Sequence, residues 1–347
     1  MRFFCDLIGR HGTVKPNPVE RAKMQGVVAA IFVVIAMVMS FSTGALAQAY
    51  PSKGLRLIVP FAPAGSTDIF ARLIGERLAI ALGQPVVIEN RSGSGGNIGA
   101  EIVAKSAPDG YTLLMATTGV MAINNALYRN MSFDAAKDLE PVIFIASITN
   151  ALVVPADSEL KSVDDLLVAA RAAPGKLTFA SSGSGSSTHM SAELFKLMAG
   201  VDLLHVPYKG SGQAMPDVIS GRVSMMFENM PGAVSYINGG KLRILAVTGL
   251  KRSPAMPQVP TVAESGVPGY ESLSWSGIAV AAGTPREVIA RLNREINAIL
   301  AAPDMRQKLA EQGADAIGGT PEAFAEHIKS ERDKWARVVR SANIAVN

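Results

Sequence analysis

Short apolar segments alternate with amphipathic ones through most of this chain, and this alternation limits its possible folds more than any other feature. Residues 55–61 are mostly apolar and predict a strand, which the turn at 62–65 ends. Residues 66–82 then show the apolar spacing of a helix, and Gly83 is predicted to end it. A second strand is predicted at 85–89. Strands that alternate with helices in this way are typical of an α/β fold with a mostly parallel sheet.

The same alternation continues to the end of the chain. Further strands are predicted at 111–116, 151–154, 176–180 and 242–247, and helices near 98–105 and at 189–199. Ser162 is predicted to cap another helix, and Thr284-Pro285 with Glu287 predicts a capping box at the start of the next. Thr320 and Pro321 start the last helix, near 321–341.

The first 47 residues predict a secretory signal peptide. Basic residues precede an unbroken run of 13 apolar residues, Val27 to Met39, and small residues follow up to Ala45-Leu46-Ala47. A basic segment, a short apolar run and an A-x-A site are typical of a cleaved leader, and the run is shorter than the roughly 20 residues that cross a membrane. We expect cleavage near Ala47 and export to the periplasm; an uncleaved anchor is the alternative.

The composition excludes several classes of protein once the leader is removed. The whole chain carries a formal charge of +4, but five of its 33 basic and two of its 29 acidic residues lie in the leader, so the remainder is almost neutral. Such a chain lacks the positive charge that nucleic-acid binding requires. The one cysteine, Cys5, also lies in the leader, and three scattered histidines remain. We expect no thiol nucleophile, no metal and no cofactor.

Familiar catalytic and nucleotide-binding motifs are absent from the sequence. The glycine-rich turn at 93–96 fails the dinucleotide pattern G-x-G-x-x-G because Ile98 occupies its sixth position. The run 181–187 is not the nucleophile turn G-x-S-x-G. Ser184 and His189 are five residues apart, so a Ser–His pair is one alternative for this run, and a flexible linker is another.

Two polar loops follow predicted strands and run directly into helices. These loops, at 65–67 and 182–188, combine glycines with hydroxyl side chains. A helix N-terminus presents unpaired N–H groups and a partial positive charge, and ligands of open α/β sheets bind at the carboxyl ends of strands. Neither loop contains Arg or Lys, so an anion would be held by amides, hydroxyls and water. The alternative is that these hydroxyls only cap their helices.

Several segments carry a resemblance to a known family. Residues 50–68 resemble the mature start of the Bug (TctC) family, the substrate-binding proteins of tripartite tricarboxylate transporters, and residues 83–96 resemble its second characteristic segment. Similar segments occur at 180–185, 205–210, 251–254 and 259–266, so the resemblance extends over essentially all of the chain after the leader. The sequence departs from the usual residues of the family at Ala64, Ser92, Met121 and Glu228. These differences affect the expected identity of the ligand, not the assignment to the family.

The resemblance implies a fold and a division of the chain. The family has the type II-like periplasmic binding protein fold, with two α/β lobes joined by two crossing strands and a ligand cleft between them. The crossing strands are expected near 148–153 and 272–280. The expected division is 1–47 for the signal peptide, 48–150 and 272–347 for lobe one, and 151–271 for lobe two.

The resemblance also implies the ligand-binding residues. One wall of the cleft is predicted to use Phe61, Gly65, Ser66, Thr67, Asp68 and Thr117, and the other Ser182, Ser184, Gly185, Thr188, His189, Tyr208 and Glu228. Asp68 is expected to turn aside towards Arg72, four residues on, and the alternative is that it binds a ligand amino group. For three of these residues there is an alternative without ligand contact. His189 would only pack in the core or cap its helix, Tyr208 would only form part of the cleft wall, and Glu228 would be exposed to solvent.

The function implied by the resemblance is binding without chemistry. We expect a monomeric periplasmic protein, not an enzyme, that captures a small carboxylate-bearing or amino-acid-like ligand by lobe closure and delivers it to integral membrane permease subunits. The alternatives are a periplasmic sensor for a membrane receptor, and a serine hydrolase that uses Ser184 and His189.

Overall fold

A computed structural model describes residues 50–342 and 344–346, and in the leader only residues 17–19, 22–24, 26, 27 and 29. The predicted cleavage point after Ala47 lies outside the described residues. Residues from Tyr50 onward form one compact unit, to which the following description applies. Across the described part of the chain, no helix is both long enough and apolar enough to span a membrane.

The described part of this unit contains ten strands and ten α-helices. The strands are β1 (Leu55–Val59), β2 (Val86–Asn90), β3 (Thr112–Thr117), β4 (Leu139–Pro155), β5 (Thr178–Ser181), β6 (Leu204–Pro207), β7 (Met225–Asn229), β8 (Leu242–Val247), β9 (Leu273–Ala281) and β10 (Ala314–Ala316). The helices are α1 (Ser66–Leu82), α2 (Asn97–Ala104), α3 (Asn124–Leu127), α4 (Val163–Ala172), α5 (Ser187–Ala199), α6 (Ser211–Ile219), α7 (Met230–Asn238), α8 (Arg286–Ala301), α9 (Pro303–Glu311) and α10 (Pro321–Ser341).

All ten strands belong to one mixed sheet. Its order is β2-β1-β3-β9-β4-β7-β5-β6, and β8 and β10 also pair with β4. The pairs at the two ends of this order are parallel, but β9 is antiparallel to both β3 and β4, and β4 is antiparallel to β7, β8 and β10. The prediction of a mostly parallel sheet is therefore wrong for its centre, where segments far apart in sequence pair without a helical crossover.

Strand β4 is much longer than the predicted segment 151–154 because it takes part in two sets of pairings. Its first part, 139–149, pairs with β9, and its last part, 150–155, pairs with β7 and β8. The segments predicted to cross between lobes fall on β4 and β9. The two strands thus lie side by side in the middle of the sheet.

The hydrophobic core is divided into four clusters of buried side chains. Two clusters draw on residues 55–148 and 275–339, with Met190 as the single buried exception. The other two draw their buried members from residues 151–270. The apolar packing on the two sides of the sheet centre is therefore built from different parts of the chain.

Of the three helix caps predicted at Ser162, Thr284 and Thr320, two are confirmed. Ser162 and Thr320 accept hydrogen bonds from the backbone N–H of Asp165 (3.1 Å) and Ala323 (3.2 Å), as predicted. The predicted capping box at Thr284 is wrong. Pro285 occupies the N-cap, one residue later, and the Thr284 hydroxyl instead donates to the carbonyl of Ala281 at 2.7 Å.

Candidate functional site

A small pocket lies where the ends of β1, β3, β5 and β7 meet the starts of α1, α5 and α6. It is lined by Phe61, Gly65, Ser66, Thr67, Thr117, Ser182, Ser186, Ser187, Ser211, Asn229, Trp275 and Ser276. Its free volume is about 20 Å³, which is about enough for one water molecule. No lining residue carries a formal charge. We refer to these twelve residues as the inner pocket.

The start of α1 is not capped by its own hydroxyl side chains. Gly65 occupies the N-cap and no side chain bonds the first turn as a cap. Ser66 and Thr67 are nevertheless buried, and the Ser66 Oγ accepts a hydrogen bond from Asn229 Nδ2 at 2.9 Å. The capping alternative is therefore wrong for this loop. The first N–H groups of α1, which have no partner within the helix, lie at the inner pocket together with two hydroxyls.

Asp68 is turned away from this pocket. Its carboxylate accepts hydrogen bonds from Arg72 Nε and Nη2, both at 3.0 Å, from Asn90 Nδ2 at 3.0 Å and from the Ala64 N–H at 3.1 Å. Burial raises the pKa of Asp68, but the bonds from Arg72, Asn90 and Ala64 outweigh it and hold the pKa below its ordinary value. The pairing of Asp68 with Arg72 is as predicted, and a contact with ligand stays a prediction.

The serine–glycine loop at 182–188 is held by hydrogen bonds within itself. Helix α5 begins at Ser187, two residues earlier than predicted, and its cap is Ser186, whose Oγ accepts from the His189 N–H at 3.3 Å. Thr188 Oγ1 instead accepts from the Ser182 N–H at 2.9 Å. A segment bonded in this way is not a flexible linker, so that alternative does not hold. Ser182, Ser186 and Ser187 from this loop line the inner pocket.

His189 packs against the serine–glycine loop and does not line the inner pocket. It is buried, its ring stacks on His205 with centroids 4.1 Å apart, and its Nδ1 accepts a hydrogen bond from the Gly185 N–H at 3.2 Å. Burial, and then the neighbouring His205 and Lys196, hold the pKa of His189 well below its ordinary value. The ring is therefore neutral at pH 7. Its Nδ1 is occupied by Gly185, so it is not paired with the Ser184 hydroxyl that the hydrolase alternative requires.

A second, more open pocket adjoins the first through Ser182. It has a volume of about 570 Å³ and is lined by Gly93, Ser94, Gly95, Tyr128, Ser182, Gly183, Ser184, Pro207, Tyr208, Lys209, Gln213 and Val346. Ser184 and Tyr208 thus belong to this outer pocket. The Tyr208 hydroxyl donates to Asp217 Oδ2 at 2.6 Å, and burial, followed by this bond, raises the pKa of Tyr208 to about 12.

Glu228, at the end of β7, is fully buried. Neither of its carboxyl oxygens has a hydrogen-bond partner among the described residues. Burial raises its pKa to about 8, and the nearby Ser211 hydroxyl opposes the rise. The alternative of a solvated residue is therefore wrong, and burial favours the neutral form of the Glu228 carboxyl, which adjoins the pocket residue Asn229 in sequence.

The loops on the two sides of the inner pocket touch through glycines. The Ala62 N–H donates to the carbonyl of Lys209 at 3.1 Å. A methyl group at Gly65 would lie 2.8 Å from Ser211 Oγ, one at Gly119 would lie 2.7 Å from the Gly185 carbonyl oxygen, and one at Gly212 would overlap the carbonyl oxygen of Pro63. These contacts leave the inner pocket narrow and require residues without side chains at the points where the loops meet.

Six lining residues of the inner pocket were missed from the sequence: Ser186, Ser187, Ser211, Asn229, Trp275 and Ser276. Ser211 follows a glycine at a helix start, which is the pattern that identified Ser66, and Asn229 is a polar residue at the end of β7, one position after Glu228. Trp275 and Ser276 lie within β9, where the sequence carries no signal of this kind. Within the described ranges, no group of three or more His, Cys, Asp or Glu side chains is arranged to hold a metal ion.

Comparisons with known proteins show which family this chain resembles. A family model for the tripartite tricarboxylate transporter family receptor, TctC, matches residues 70–344. Protein BugT of Bordetella pertussis is 39% identical over 295 residues, which are 85% of this chain and 90% of BugT. The solved structure of R. palustris Rpa4515 with adipate has a TM-score of 0.83 and 43% identity, over 85% of this chain and 99% of that one. MatC from Rhodopseudomonas palustris with bound malate has a TM-score of 0.80 and 31% identity, over 84% and 100%.

These likenesses extend over nearly the whole of each relative, so they concern the complete fold rather than a shared segment. The fold is the two-lobed α/β fold of periplasmic solute-binding proteins, as the sequence resemblance implied. The family and the structural neighbours are solute-binding proteins and not enzymes. This chain belongs to the TctC family, the receptors of tripartite tricarboxylate transporters, which includes the Bug proteins.

Proposed function

We propose that this protein binds a small carboxylate-bearing ligand between the walls of the inner pocket, which must separate to admit it, and delivers the ligand to a membrane permease. The observation that carries the proposal is the uncapped start of α1, whose free N–H groups lie beside the Ser66 and Thr67 hydroxyls in a pocket with no charged side chain. Such a site suits an anion, because amide and hydroxyl donors and the helix dipole all favour negative charge there. The adipate and malate held by two related proteins support the same class of ligand.

The ligand is held, in this proposal, between two lobes that close on it. Lobe one comprises 48–150 and 272–347, and lobe two comprises 151–271. The separate hydrophobic clusters of these ranges support the division, and β4 and β9 are the strands that pass between the lobes. Because contacts to both lobes exist only in the closed state, ligand binding favours closure.

The predicted contacts divide into two groups in this proposal. Residues of the inner pocket contact the ligand directly: Phe61, Gly65, Ser66, Thr67, Thr117 and Ser182. The remaining predicted residues act from behind it or at its mouth: Asp68, Ser184, Gly185, Thr188, His189, Tyr208 and Glu228. No enzymatic step is proposed, and the bond between Gly185 and the His189 ring supports a structural role for that histidine.

The test is a thermal-shift screen of the exported protein with adipate, malate and tricarboxylates, with the matching neutral diamides as controls. Ligand at a hundredfold excess over its dissociation constant stabilises the folded state by about 2.7 kcal/mol. We expect stabilisation by at least one carboxylate and none by its diamide. Small-angle scattering of the same pair of samples should show compaction with the carboxylate only. Stabilisation by diamides and acids alike, or turnover of a chromogenic ester, would contradict the proposal.

A further inference from the structure

One peptide unit of the serine–glycine loop is hydrogen-bonded from both sides. The carbonyl oxygen of Ser184 accepts a hydrogen bond from the Tyr128 hydroxyl at 2.8 Å. The N–H of the same peptide belongs to Gly185 and donates to His189 Nδ1 at 3.2 Å. In the proposed division, Tyr128 belongs to lobe one and His189 to lobe two. A side chain from each lobe therefore bonds the same backbone unit.

The position of Tyr128 is fixed within lobe one. Its backbone N–H donates to the carbonyl of Asn124, the first residue of α3, at 2.9 Å, and it forms a β-bridge with Val346 in the C-terminal segment. Asn124 Nδ2 also donates to the Gly95 carbonyl at 3.1 Å, so the glycine-rich turn beside Tyr128 is bonded to the same helix. Burial raises the pKa of Tyr128 to about 12, so its hydroxyl remains a donor at neutral pH.

The loop and the glycine-rich turn approach each other too closely to leave room for side chains. A methyl group at Gly95 would overlap the Ser184 carbonyl oxygen, and one at Gly185 would lie 3.2 Å from Tyr128 Cε2. Gly185 has a φ of +83°, and glycine populates positive and negative φ about equally. The backbone at Gly185 therefore does not by itself fix the direction of this peptide, whereas the bonds from Tyr128 and to His189 do.

We propose that Tyr128 is a positioning residue whose hydroxyl retains the ligand by bonding the serine–glycine loop to lobe one once the lobes have closed. The loop carries Ser182, Ser186 and Ser187 into the inner pocket, so a loop bonded to lobe one keeps these hydroxyls at the ligand. Tyr128 lines the outer pocket and not the inner one, so it acts through the loop. This inference rests on the proposed function.

The bond from Tyr128 to Ser184 requires contact between the lobes, because its donor and its acceptor belong to different ones. It therefore stabilises the closed state alone, and a ligand that favours closure gains affinity from it without touching Tyr128. A contact that forms after the ligand has been captured slows dissociation and leaves association unchanged. Loss of the hydroxyl should thus weaken binding through a faster dissociation.

The experiment compares Tyr128→Phe with the wild type in calorimetry and in stopped-flow dissociation measurements, both with adipate. We expect the affinity to fall roughly twofold to tenfold, which is the range for the loss of one neutral hydrogen bond. The dissociation rate should rise by the same factor. The free energy of unfolding of the ligand-free protein should be unchanged, because the bond belongs to the closed state.

Tyr50→Phe is the matched control. The Tyr50 hydroxyl also donates to a backbone carbonyl, that of Gly110 at 2.6 Å, but donor and acceptor both belong to lobe one. This variant should lower the stability of the ligand-free protein and leave adipate affinity unchanged, which is the opposite of the pattern for Tyr128→Phe. The inference is overturned if Tyr128→Phe binds adipate as tightly as the wild type, loses affinity through slower association, or loses as much ligand-free stability as affinity.

A second variant tests whether the two side chains hold the same peptide. His189→Phe keeps an aromatic ring in the stack with His205 and removes the acceptor for the Gly185 N–H. In that background the Tyr128 bond alone fixes the peptide, so Tyr128→Phe should cost more affinity there than in the wild type. Equal losses in both backgrounds would overturn the joint role of Tyr128 and His189. If the wild type binds neither adipate nor malate, the proposed function fails, and the inference fails with it.

Discussion

The side chain of Asn229 donates a hydrogen bond of 2.9 Å to the Oγ of Ser66, which lies 163 residues earlier in the sequence. The Asn229 Oδ1 accepts from Ser274 at 2.9 Å and from Ser187 at 3.3 Å. One amide thus joins the starts of α1 and α5 and strand β9. In the proposed division, this bond links lobe two directly to lobe one across the inner pocket.

Ser66→Ala should weaken carboxylate binding. A hydroxyl that donates to a charged group contributes roughly 1.5–3 kcal/mol, so we expect a loss of that size in calorimetry with adipate. Ser184→Ala is the matched control, because Ser184 lines the outer pocket and its backbone carbonyl, not its hydroxyl, accepts from Tyr128 at 2.8 Å. The assignment of the ligand to the inner pocket would be wrong if Ser184→Ala cost more affinity than Ser66→Ala.

Gly212→Ala should hinder closure without touching the ligand. The added methyl group would overlap the carbonyl oxygen of Pro63 on the other side of the pocket, and overpacking of this kind typically costs about 1–3 kcal/mol. We expect adipate affinity to fall by that amount and ligand-induced compaction to shrink in scattering experiments. The free protein should be as stable as the wild type or slightly more so, because alanine favours a helix over glycine by up to about 1 kcal/mol. A destabilised free protein would show that the contact persists without ligand.

Asp68→Asn should lower stability and leave ligand preference unchanged. Asp68 accepts four hydrogen bonds, two of them from Arg72. A hydrogen bond to a charged group contributes about 1.5–3 kcal/mol to stability. We expect a loss in that range in denaturant unfolding at pH 7. The pKa of Asp68 is lowered in the folded state, so the stabilisation is present above its unfolded pKa and is lost as the pH falls through the folded pKa. A variant that prefers dicarboxylates while losing amino-acid binding would instead place Asp68 against the ligand.

Glu228→Gln should change how stability depends on pH. The folded-state pKa of Glu228 is about 8, above the ordinary 4.5, so the folded protein binds a proton that the unfolded chain releases over this range. Wild-type stability should therefore decline as the pH rises from about 4.5 to 8 and then level off, by an amount on the order of 5 kcal/mol. The difference between wild type and Glu228→Gln in denaturant unfolding isolates this contribution. A constant difference across that range would show that the buried carboxyl is already ionised.

The exported protein should begin at Gln48 or Tyr50, because A-x-A sites end at Ala47 and Ala49. Mass spectrometry of the periplasmic fraction from cells that express the full chain measures this directly. An intact N-terminus in the membrane fraction would instead indicate an uncleaved anchor.

Features that depend on neighbours along the chain could be predicted from the amino-acid sequence. Ser162 and Thr320 cap helices because an N-cap bond joins residues three apart, and Gly83 ends α1 in the left-handed conformation that glycine adopts freely. The hydroxyl loops at strand ends, which led to Ser66, Thr67 and Ser182, are local patterns of the same kind. The family resemblance added the two-lobed fold, which no local pattern contains.

Contacts between distant segments became visible in the folded structure. Asn229 at the end of β7 meets Ser66 at the start of α1 although three strands separate β7 from β1 in the sheet, and the antiparallel pairing of β4 with β9 joins residues more than 120 positions apart. Glu228 is polar and ends a strand, so its sequence context favours solvent, yet α6 and α7 cover it. Strand pairing and burial depend on which remote surfaces meet. The free energy of those contacts therefore cannot be estimated from the residues on either side of a position.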